Sequence, residues 1–564
     1  MNFRYEPKEE RLIVSDASRI EYHQMKIWLT RHVKGYRFMP AFKMGIWNGQ
    51  NSQFDNGKVN LGLWRECFKA CKEIGVTFNI ENKEEFPINR EVTLESVSEF
   101  CKSFFKNHKV RNGKGEWIPF TPYDYQIETA FKILKNRYCM AEVATSGGKS
   151  LIISIVYFYI ITKLDPDAKM LLIVPSISLV TQFYNDILSY YFGENNISNI
   201  KDFIYEIEYK NGEIINKNSG EYLNDKLVDD LKESGEIKKI RKIIIEKEIR
   251  IEEIMSDRPR LFSNNPNVFI GTYQSLVNYP KEFFQQFHTV ACDESHTCKS
   301  KSLKSILSKT FGYAYNRYGV SGTFPTEESM EILDIQSVLG PIISNIEAKT
   351  LVEKGIITPM DIKVIMLNHN DKEFNDKVNY IKKSVGGKEA YLIEKEYIHL
   401  SDKRLDFIKK IAEKCNNNTL VLFHTIEYGQ RIFEKLTKEI PDKEFYYIDG
   451  EINNKKREEI KRNMELNDGK VRILVASFGT LSTGVSIKNL FNVIFADSFK
   501  SEQIIIQSIG RILRLFGGKN TANVFDLVDI FDESANNIFH KQFLERKSFY
   551  IKREYPYKLL KINL

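Results

Sequence analysis

One short stretch decides the first part of the fold: Ala144-Thr145-Ser146-Gly147-Gly148-Lys149-Ser150. An apolar run over residues 151–161 follows directly and predicts a buried helix, since it is too short to span a bilayer. Phosphates need clustered backbone N–H donors and a fixed cation, which a glycine-containing loop opening a helix supplies. Val143 stands where the complete pattern has its first glycine, but the strand–loop–helix context still favours a phosphate site.

In that loop, each residue type has an expected task. We expect Thr145, Ser146, Gly147 and Gly148 to surround the phosphates of a bound nucleotide. Lys149 would meet the β- and γ-phosphates, and Ser150 would ligate Mg²⁺.

Two adjacent carboxylates complete this prediction. Asp293 and Glu294 end the apolar segment Val290-Ala291-Cys292, and strand ends of this kind lie where open α/β sheets bind ligands. An acidic pair after a strand is usually a solvated strand end, but the preceding phosphate loop favours a site. Asp293 is then the predicted Mg²⁺ partner, and Glu294 the group that orients and deprotonates the attacking water.

The rest of the chain alternates short apolar segments with helical ones. This pattern predicts parallel sheets covered by helices on both faces. Apolar strands are expected at 170–174, 268–270, 289–292 and 318–320, and a second series at 419–423, 445–448, 472–476, 492–496 and 523–527. The fold class is therefore α/β, with domain boundaries predicted at 1–115, 116–350 and 351–564.

A second stretch indicates the same chemistry from the second series: Gln507-Ser508-Ile509-Gly510-Arg511-Ile512-Leu513-Arg514. An arginine at a γ-phosphate stabilises the charge that grows during hydrolysis. We expect Arg511 and Arg514 to serve this role, with Gln507 sensing the nucleotide.

Two segments lie outside this pattern. Residues 35–49 interleave aromatics with Arg37 and Lys43 and include Trp47, which suits either base stacking and phosphate binding or a small core edged by charge. Residues 196–262 are rich in Lys, Glu, Asp and Asn; Ile240, Ile244, Ile251 and Met255 share one helical face, which predicts a partly helical insertion. A solvated surface and a partner or nucleic-acid contact both remain open for it.

Composition limits the classes of protein. The net charge is +7 (82 minus 75), a modest basic excess. Seven scattered cysteines fit a reducing cytosol, and Cys67 and Cys71 are expected to pack in a core. The opening residues show no secretory pattern, which predicts a cytoplasmic protein (host cytoplasm, if viral) without a membrane contact.

Taken in order, these motifs resemble the superfamily 2 DExH helicases. The resemblance rests on the GKS loop, Asp-Glu-Ser-His and Q-x-x-G-R-x-x-R, and it covers about residues 120–530. It implies two tandem RecA-like domains beside a small α+β N-terminal domain, and it extends to a phage branch that remodels branched DNA. Ser486 stands where many members carry aspartate, and Gly322 where many carry alanine.

The resemblance also implies roles for single residues. Tyr125 and Gln126 would read adenine, Gly484 and Ser486 would contact the nucleotide, and His296, Ser321 and Thr323 would couple its state to nucleic acid. A motor that ignores sequence contacts phosphates, so hydroxyls and amides at strand ends are candidates, although each also suits a cap. These candidates are Ser176, Gln182, Thr272, Tyr273, Thr425, Ser477 and Thr483.

Three functions compete. The first is an ATP- and Mg²⁺-dependent DNA helicase or translocase acting on junctions, forks, D-loops and R-loops in recombination, repair and replication restart. It is expected to be a monomer that meets single- and double-stranded DNA and replication or recombination proteins. The second is a strand-annealing binder that does not need ATP hydrolysis. The third is a motor acting on RNA or RNA–DNA hybrid, since phosphate contacts are common to both backbones.

Basic residues near the C-terminus, including Arg546 and Arg553, fit added nucleic-acid contacts or a solvated helix face.

Overall fold

In the computed structural model the chain forms two compact units, the first of residues 1–143 and 148–345 and the second of residues 144–147 and 346–564. The structure describes residues 1–86, 90–111, 116–194, 203–210, 214–218, 237–244, 249–255, 266–452, 454–466, 468–479, 487, 489–499, 501–516 and 519–564. Every helix among these residues is too short or too polar to cross a bilayer.

The first unit opens with a small α+β region. Its mixed sheet has the strand order β5-β2-β1-β6 and packs on two helices through Phe3, Leu12, Met25 and Cys67. The strands are β1 (Asn2–Glu6), β2 (Arg11–Ser15), β3 (Thr30–His32), β4 (Gln50–Ser52), β5 (Lys58–Asn60), β6 (Asn79–Ile80), β7 (Lys109–Arg111) and β8 (Trp117–Pro119). The helices are α1 (Arg19–Trp28), α2 (Pro40–Lys43), α3 (Trp64–Ile74) and α4 (Leu94–Phe104).

A seven-stranded sheet forms the centre of the first unit. Its order is β14-β15-β10-β16-β17-β9-β18, and the ladders from β14 to β9 are parallel. The strands are β9 (Tyr138–Val143), β10 (Met170–Val174), β14 (Ile251–Ile254), β15 (Val268–Thr272), β16 (Thr289–Asp293), β17 (Asn316–Ser321) and β18 (Ile342–Ile346). The helices are α5 (Asp124–Asn136), α6 (Lys149–Tyr159), α7 (Ile177–Phe192), α8 (Tyr273–Leu276), α9 (Lys281–Phe284), α10 (Lys301–Ser308) and α11 (Met330–Leu339).

The charged insertion is different from the prediction. Its described parts form an antiparallel sheet of β11 (Phe203–Tyr209), β12 (Ile214–Asn218) and β13 (Ile237–Ile244). The helical face assigned to Ile240, Ile244, Ile251 and Met255 is therefore wrong, since Ile240 and Ile244 lie in β13 and Ile251 in β14. The isoleucine-rich segment pairs as strands, which suits β-branched side chains.

The second unit repeats the plan. A parallel sheet of order β21-β22-β20-β23-β24-β19-β25 is flanked by helices. The strands are β19 (Met360–Asn368), β20 (Thr419–Phe423), β21 (Glu444–Ile448), β22 (Arg472–Ser477), β23 (Asn492–Phe495), β24 (Ala522–Ile530) and β25 (Tyr557–Asn563). The helices are α12 (Ala348–Glu353), α13 (Lys372–Ser384), α14 (Gly387–Leu400), α15 (Asp402–Lys414), α16 (Ile426–Glu439), α17 (Asn454–Met464), α18 (Glu502–Ile512) and α19 (Ile538–Lys552). The α/β fold class with two parallel sheets is confirmed.

Candidate nucleotide site

The phosphate loop joins β9 to α6, and its backbone needs glycine. Ser146 and Gly148 have positive φ angles of 68° and 78°, in the left-handed region. A Cβ atom on Gly148 would lie 2.3 Å from Nε2 of Gln126, so a larger residue would collide with that amide. Helix α6 then begins at Lys149, and Leu151 to Tyr159 are buried. The first residues of α6 thus stand at a helix N-terminus, which is suited to anions.

The predicted carboxylates lie beside the loop lysine. Strand β16 ends at Asp293, and Glu294 follows with a φ of 47°. Oε1 of Glu294 lies 3.6 Å from Nζ of Lys149. This brings together a cation and an acid that are far apart in sequence, because β16, β17 and β9 are neighbours in the sheet.

The two acids have opposite electrostatic environments. Burial and the charge of Glu294 raise the pKa of Asp293, and Oδ1 of Asp293 is buried without a hydrogen-bond partner among the described atoms. Burial alone would raise the pKa of Glu294, but the charges of Lys149 and His296 lower it below its usual value. Glu294 is therefore the ionised member of the pair. Asp293 carries a buried oxygen that a divalent cation would satisfy.

A hydrogen-bonded chain leads away from Glu294. Nδ1 of His296 lies 3.4 Å from Oε2 of Glu294 and 2.8 Å from Oγ of Ser321. The Ser321 hydroxyl donates to the carbonyl oxygen of Thr323 at 2.9 Å. The three residues predicted to couple nucleotide to nucleic acid thus form one connected series that starts at the acid.

The predicted adenine contacts are mostly internal. Tyr125 and Gln126 are each 4% exposed in α5, and Oε1 of Gln126 accepts from the backbone N–H of Tyr123 at 2.9 Å. Tyr123, which the sequence analysis did not select, is 47% exposed and stacks on Tyr125 with ring centroids 5.9 Å apart. Its ring offers an accessible aromatic surface at the start of α5, and its position two residues before Tyr125 was the available signal.

The nucleic-acid candidates of the first unit have mixed surroundings. The Thr272 hydroxyl caps α8 by accepting from the N–H of Ser275 at 3.3 Å, and Thr272 is 4% exposed. Ser176 precedes α7 and its Oγ lies 3.1 Å from that of Ser178. Gln182 and Tyr273 are half-buried, and Nε2 of Gln182 donates to Asp186 at 3.4 Å. Thr272 thus caps a helix, which was the alternative to a nucleic-acid contact.

The three nucleic-acid candidates of the N-terminal region differ in how accessible their side chains are. Arg37 and Lys43 are exposed. Trp47 is half-buried, and its indole N–H donates to the carbonyl oxygen of Gln50 at 2.7 Å. Trp47 therefore fixes its own loop, whereas the two cations are accessible.

In the second unit, α18 carries the predicted arginines. Arg511 lies in its last turn and Arg514 two residues beyond its end. Gln507 belongs to the same helix, and nothing further is described for its side chain. Thr483, Gly484 and Ser486, for which the sequence predicts contacts, lie outside the described residues.

Two further candidates lie at strand ends of the second unit. Ser477 is the last residue of β22. Thr425 precedes α16, and its hydroxyl lies 3.3 Å from Nδ1 of His399. Both line the same edge of the sheet, and Thr425 borders a cavity of about 280 Å³.

A lysine that the sequence analysis missed holds the end of α18. Nζ of Lys519 donates to the carbonyl oxygens of Leu490 at 2.5 Å, of Arg514 at 3.2 Å and of Ile512. Lys519 is 7% exposed, and burial with the nearby charge of Arg514 lowers its pKa to about 7. It binds the carbonyls that a helix end leaves unpaired, directly beside the two arginines. No short motif marks it, because its partners come from two separate loops.

One of the basic residues near the C-terminus is not accessible. Arg546 is 0% exposed and pairs with Asp526 at 2.9 Å, and Arg553 pairs with Glu502 at 3.3 Å. The interpretation of Arg546 as a nucleic-acid contact is wrong, since its guanidinium is enclosed by the protein core.

Comparison with known proteins agrees with this geometry. Residues 119–326 match the family model "Type III restriction enzyme, res subunit", and residues 402–516 match "Helicase conserved C-terminal domain". The ATP-dependent DNA helicase uvsW of Enterobacteria phage T4 is 29% identical over 568 residues, which cover 97% of each chain.

Solved structures are also similar. The crystal structure of T4 UvsW covers 100% of both chains at 24% identity with a TM-score of 0.44. The type ISP restriction-modification enzyme LlaBIII, solved bound to DNA, has a TM-score of 0.50 at 15% identity and covers 79% of this chain and 32% of its own. The latter likeness concerns the fold alone.

Three features together indicate the class of protein. They are a glycine-containing loop before a buried helix, an Asp-Glu pair on the adjacent sheet edge and a second parallel sheet. The chain carries the paired domains of a superfamily 2 helicase and is an ATP-dependent helicase. Within that class it is similar along nearly its whole length to the UvsW helicase of phage T4.

Proposed function

We propose that this helicase acts on branched DNA, namely junctions, forks, D-loops and R-loops, in recombination, repair and replication restart. The observation that carries the ATP-driven part of this proposal is the connected series from Lys149 through Glu294 and His296 to Ser321, which joins the phosphate loop to a strand end. The relative in phage T4 is described as a DNA helicase, which supports DNA as the polymer.

In the proposed reaction, the phosphate loop and the acids beside it hold the triphosphate. Thr145, Ser146, Gly147 and Gly148 surround the phosphates, and Lys149 stabilises their charge. Glu294, ionised beside Lys149, orients the attacking water and takes its proton. Because His296 contacts both Glu294 and Ser321, a change at the γ-phosphate moves the series that ends at Thr323.

The donor set fits Mg²⁺. Oδ1 of Asp293 is buried without a partner among the described atoms, and Ser150 provides a hydroxyl at the start of α6. Mg²⁺ prefers oxygen ligands, and it neutralises phosphate charge when bound. We expect ATP with Mg²⁺ to raise the melting temperature of the wild-type protein, and Asp293→Asn to remove the part of the shift that depends on Mg²⁺.

The second unit supplies the remaining groups in this proposal. Arg511 and Arg514 stabilise charge in the transition state, and Gln507 senses the nucleotide, whereas Gly484 and Ser486 contact it. The division into residues 1–115 for nucleic-acid binding, 116–350 and 351–564 for the two motor domains belongs to the same proposal. We further propose a monomer in the cytoplasm that works with replication and recombination proteins.

The phosphate contacts are proposed along the accessible strand ends. Ser176, Gln182, Tyr273, Thr425, Ser477 and Thr483 are the candidates, with Arg37 and Lys43 in the N-terminal region. Such contacts position the strand without reading its sequence.

One experiment compares substrates directly. ATP hydrolysis and strand separation are measured with single-stranded DNA, a forked duplex, a four-way junction, an R-loop and duplex RNA. We expect forked and four-way DNA to be separated only with hydrolysable ATP. Equal stimulation by RNA, or separation without hydrolysis, would contradict the proposed substrate class.

A further inference from the structure

Three apolar side chains are mostly exposed on one loop of the N-terminal region, beside Met39, which is 37% exposed. Phe38 is 80% exposed, Ile46 74% and Met44 64%, and we name them the apolar tip. Removing side chains of this kind from water is favourable, and apolar side chains grouped on one exposed loop are typical of a binding surface. The tip therefore marks a contact surface.

The loop that carries the tip is held by its own interior. It runs between β3 and β4, which pair antiparallel with His32 opposite Gln50. Tyr36 stacks on His32 with centroids 4.4 Å apart, and a Cβ atom on Gly49 would lie 2.1 Å from the Tyr36 ring. Trp47 donates to Gln50 across the base of the loop. The frame is thus packed, and the three side chains of the tip remain in solvent.

The charge around the tip has a single sign. Between Glu21 and Asp55 the sequence contains no aspartate or glutamate. The same stretch carries five cations: Lys26, Arg31, Lys34, Arg37 and Lys43. Four of these residues are exposed and Arg31 is half-buried, so an apolar surface stands within a basic one.

Resting on the proposed function, we infer that the apolar tip stacks against the first base pair of the duplex at a DNA junction and separates the strands there. Charged phosphates make no favourable apolar contact with Phe38, Met44 and Ile46, whereas an exposed base pair presents a flat apolar face on which they can pack. Apolar side chains such as these unstack base steps in other DNA-binding proteins. The flanking cations hold the phosphates on either side.

This role explains why the tip carries no polar group. Every base pair has the same kind of apolar face, so a tip that stacks on it works at any sequence. Contact with a single strand drawn along by the motor does not need the tip. Strand separation and strand-stimulated ATP hydrolysis are therefore separable.

The test changes the tip without touching the loop frame. In the full chain, Phe38→Ser, Met44→Ser and Ile46→Ser are combined, and Ile20→Ser, a 71% exposed residue on α1, is the matched control. We expect the triple variant to separate a forked duplex about tenfold more slowly, with single-strand-stimulated ATP hydrolysis within about twofold of wild type. Phe38→Trp, which keeps a stacking face, is expected to separate strands at the wild-type rate.

A second readout reports on the junction itself. 2-Aminopurine is placed at the first base pair of the fork, and its fluorescence is measured with a non-hydrolysable ATP analogue. We expect the wild-type protein and the Ile20→Ser control to raise the fluorescence and the triple variant to leave it unchanged.

Three results would overturn the inference. They are wild-type strand separation by the triple variant, an equal loss of single-strand-stimulated hydrolysis, and a change of oligomeric mass that identifies the tip as a contact between copies. A wild-type protein whose ATP hydrolysis ignores DNA would instead refute the proposed function, and it is recognised without any variant.

Discussion

At the scale of single residues, the nucleotide site depends on one acid being charged and correctly held. Glu294 has a left-handed backbone and lies between Lys149 and His296, whose charges lower its pKa. Such a backbone is costly for a residue other than glycine, which indicates a position fixed by the surrounding structure. An ionised carboxylate in this position can accept a hydrogen bond from the attacking water and orient it.

We predict that Glu294→Gln keeps ATP binding but lowers kcat for ATP hydrolysis about 100-fold or more, because the amide cannot accept the proton of water. The measurement combines steady-state hydrolysis with binding of a fluorescent ATP analogue. Glu282→Gln, an exposed acid in the same unit, is the control. Hydrolysis at the wild-type rate would remove Glu294 from the proposed role.

At the scale of an element, the end of α18 is stabilised by a buried side chain. Lys519 donates to three carbonyl oxygens, a number that only the ammonium form supplies. The lysine thus fixes the turn that carries Arg511 and Arg514. It acts through the backbone and is a positioning residue.

Lys519→Met is predicted to lower kcat for ATP hydrolysis more than it raises KM, because Arg511 and Arg514, in their proposed role, act on the transition state rather than on binding. Steady-state kinetics of this variant and of Lys519→Arg, which keeps the charge and donors, provide the measurement. Loss of activity in the Arg variant to the same degree, or unchanged kcat in the Met variant, would argue against positioning.

Elements differ in how well the sequence predicts them. The strands at 170–174 and 419–423 are observed with those limits, because continuous apolar runs bounded by polar loops have one solution in a parallel sheet. The insertion was mispredicted because residues four apart, such as Ile240 and Ile244, share a face in a strand as well as in a helix, and the pairing partner decides between the two. Similarly, the sequence around Arg546 suits a charged surface. The structure instead places Arg546 in the core, where it pairs with Asp526.

At the scale of the whole molecule, buried ion pairs connect distant parts of the sequence. Arg317 of β17 and Glu10 of the N-terminal region are both 1% exposed, and Nη1 of Arg317 donates to Oε1 of Glu10 at 3.1 Å. Arg317 also lies over the rings of Tyr138 and Phe311 at 4.9 and 4.5 Å. The pair therefore ties the small mixed sheet to the large one within the first unit.

We predict that Glu10→Gln destabilises the first unit by roughly 3–5 kcal/mol, because it leaves the Arg317 charge buried without compensation. Denaturant unfolding, with limited proteolysis to follow release of the N-terminal region, measures this effect. The neighbouring Glu9→Gln, which changes an exposed side chain, is expected to be neutral.

A second buried pair predicts a pH dependence. Burial alone raises the pKa of Asp529, but Arg404 and His369 together lower it well below its ordinary value. The unfolded carboxyl, with a pKa of about 3.9, takes up its proton first, so this stabilisation is complete above that pH and is lost as the pH falls below it. We expect the free energy of unfolding to fall on acidification from about pH 4 downward.

Asp529→Asn checks this assignment by circular dichroism during denaturation at several pH values. We expect lower stability at neutral pH and a shallower decline in acid, whereas Asp402→Asn, at a side chain 83% exposed, should leave the wild-type profile. A variant that declines as steeply as wild type would place the acid sensitivity elsewhere.

The proximity of Lys149 and Glu294 was predictable, because the loop and the acids are short motifs of fixed chemistry, whereas the part played by Arg511 and Arg514 stays a prediction. The residues that contact nucleic acid were harder to predict, since a hydroxyl at a strand end such as that of Thr272 is equally suited to cap a helix. Lys519 and the exposure of Phe38 could not be predicted at all, because each depends on what the rest of the fold leaves beside it.

The central claim is that ATP bound at Lys149 drives strand separation in branched DNA. The most direct measurement is ATP hydrolysis and forked-duplex separation by Lys149→Ala beside the wild-type protein, with Lys169→Ala in the same unit as control. We predict that Lys149→Ala loses both activities while the control keeps them. DNA-stimulated hydrolysis or strand separation at the wild-type rate in Lys149→Ala would contradict the claim.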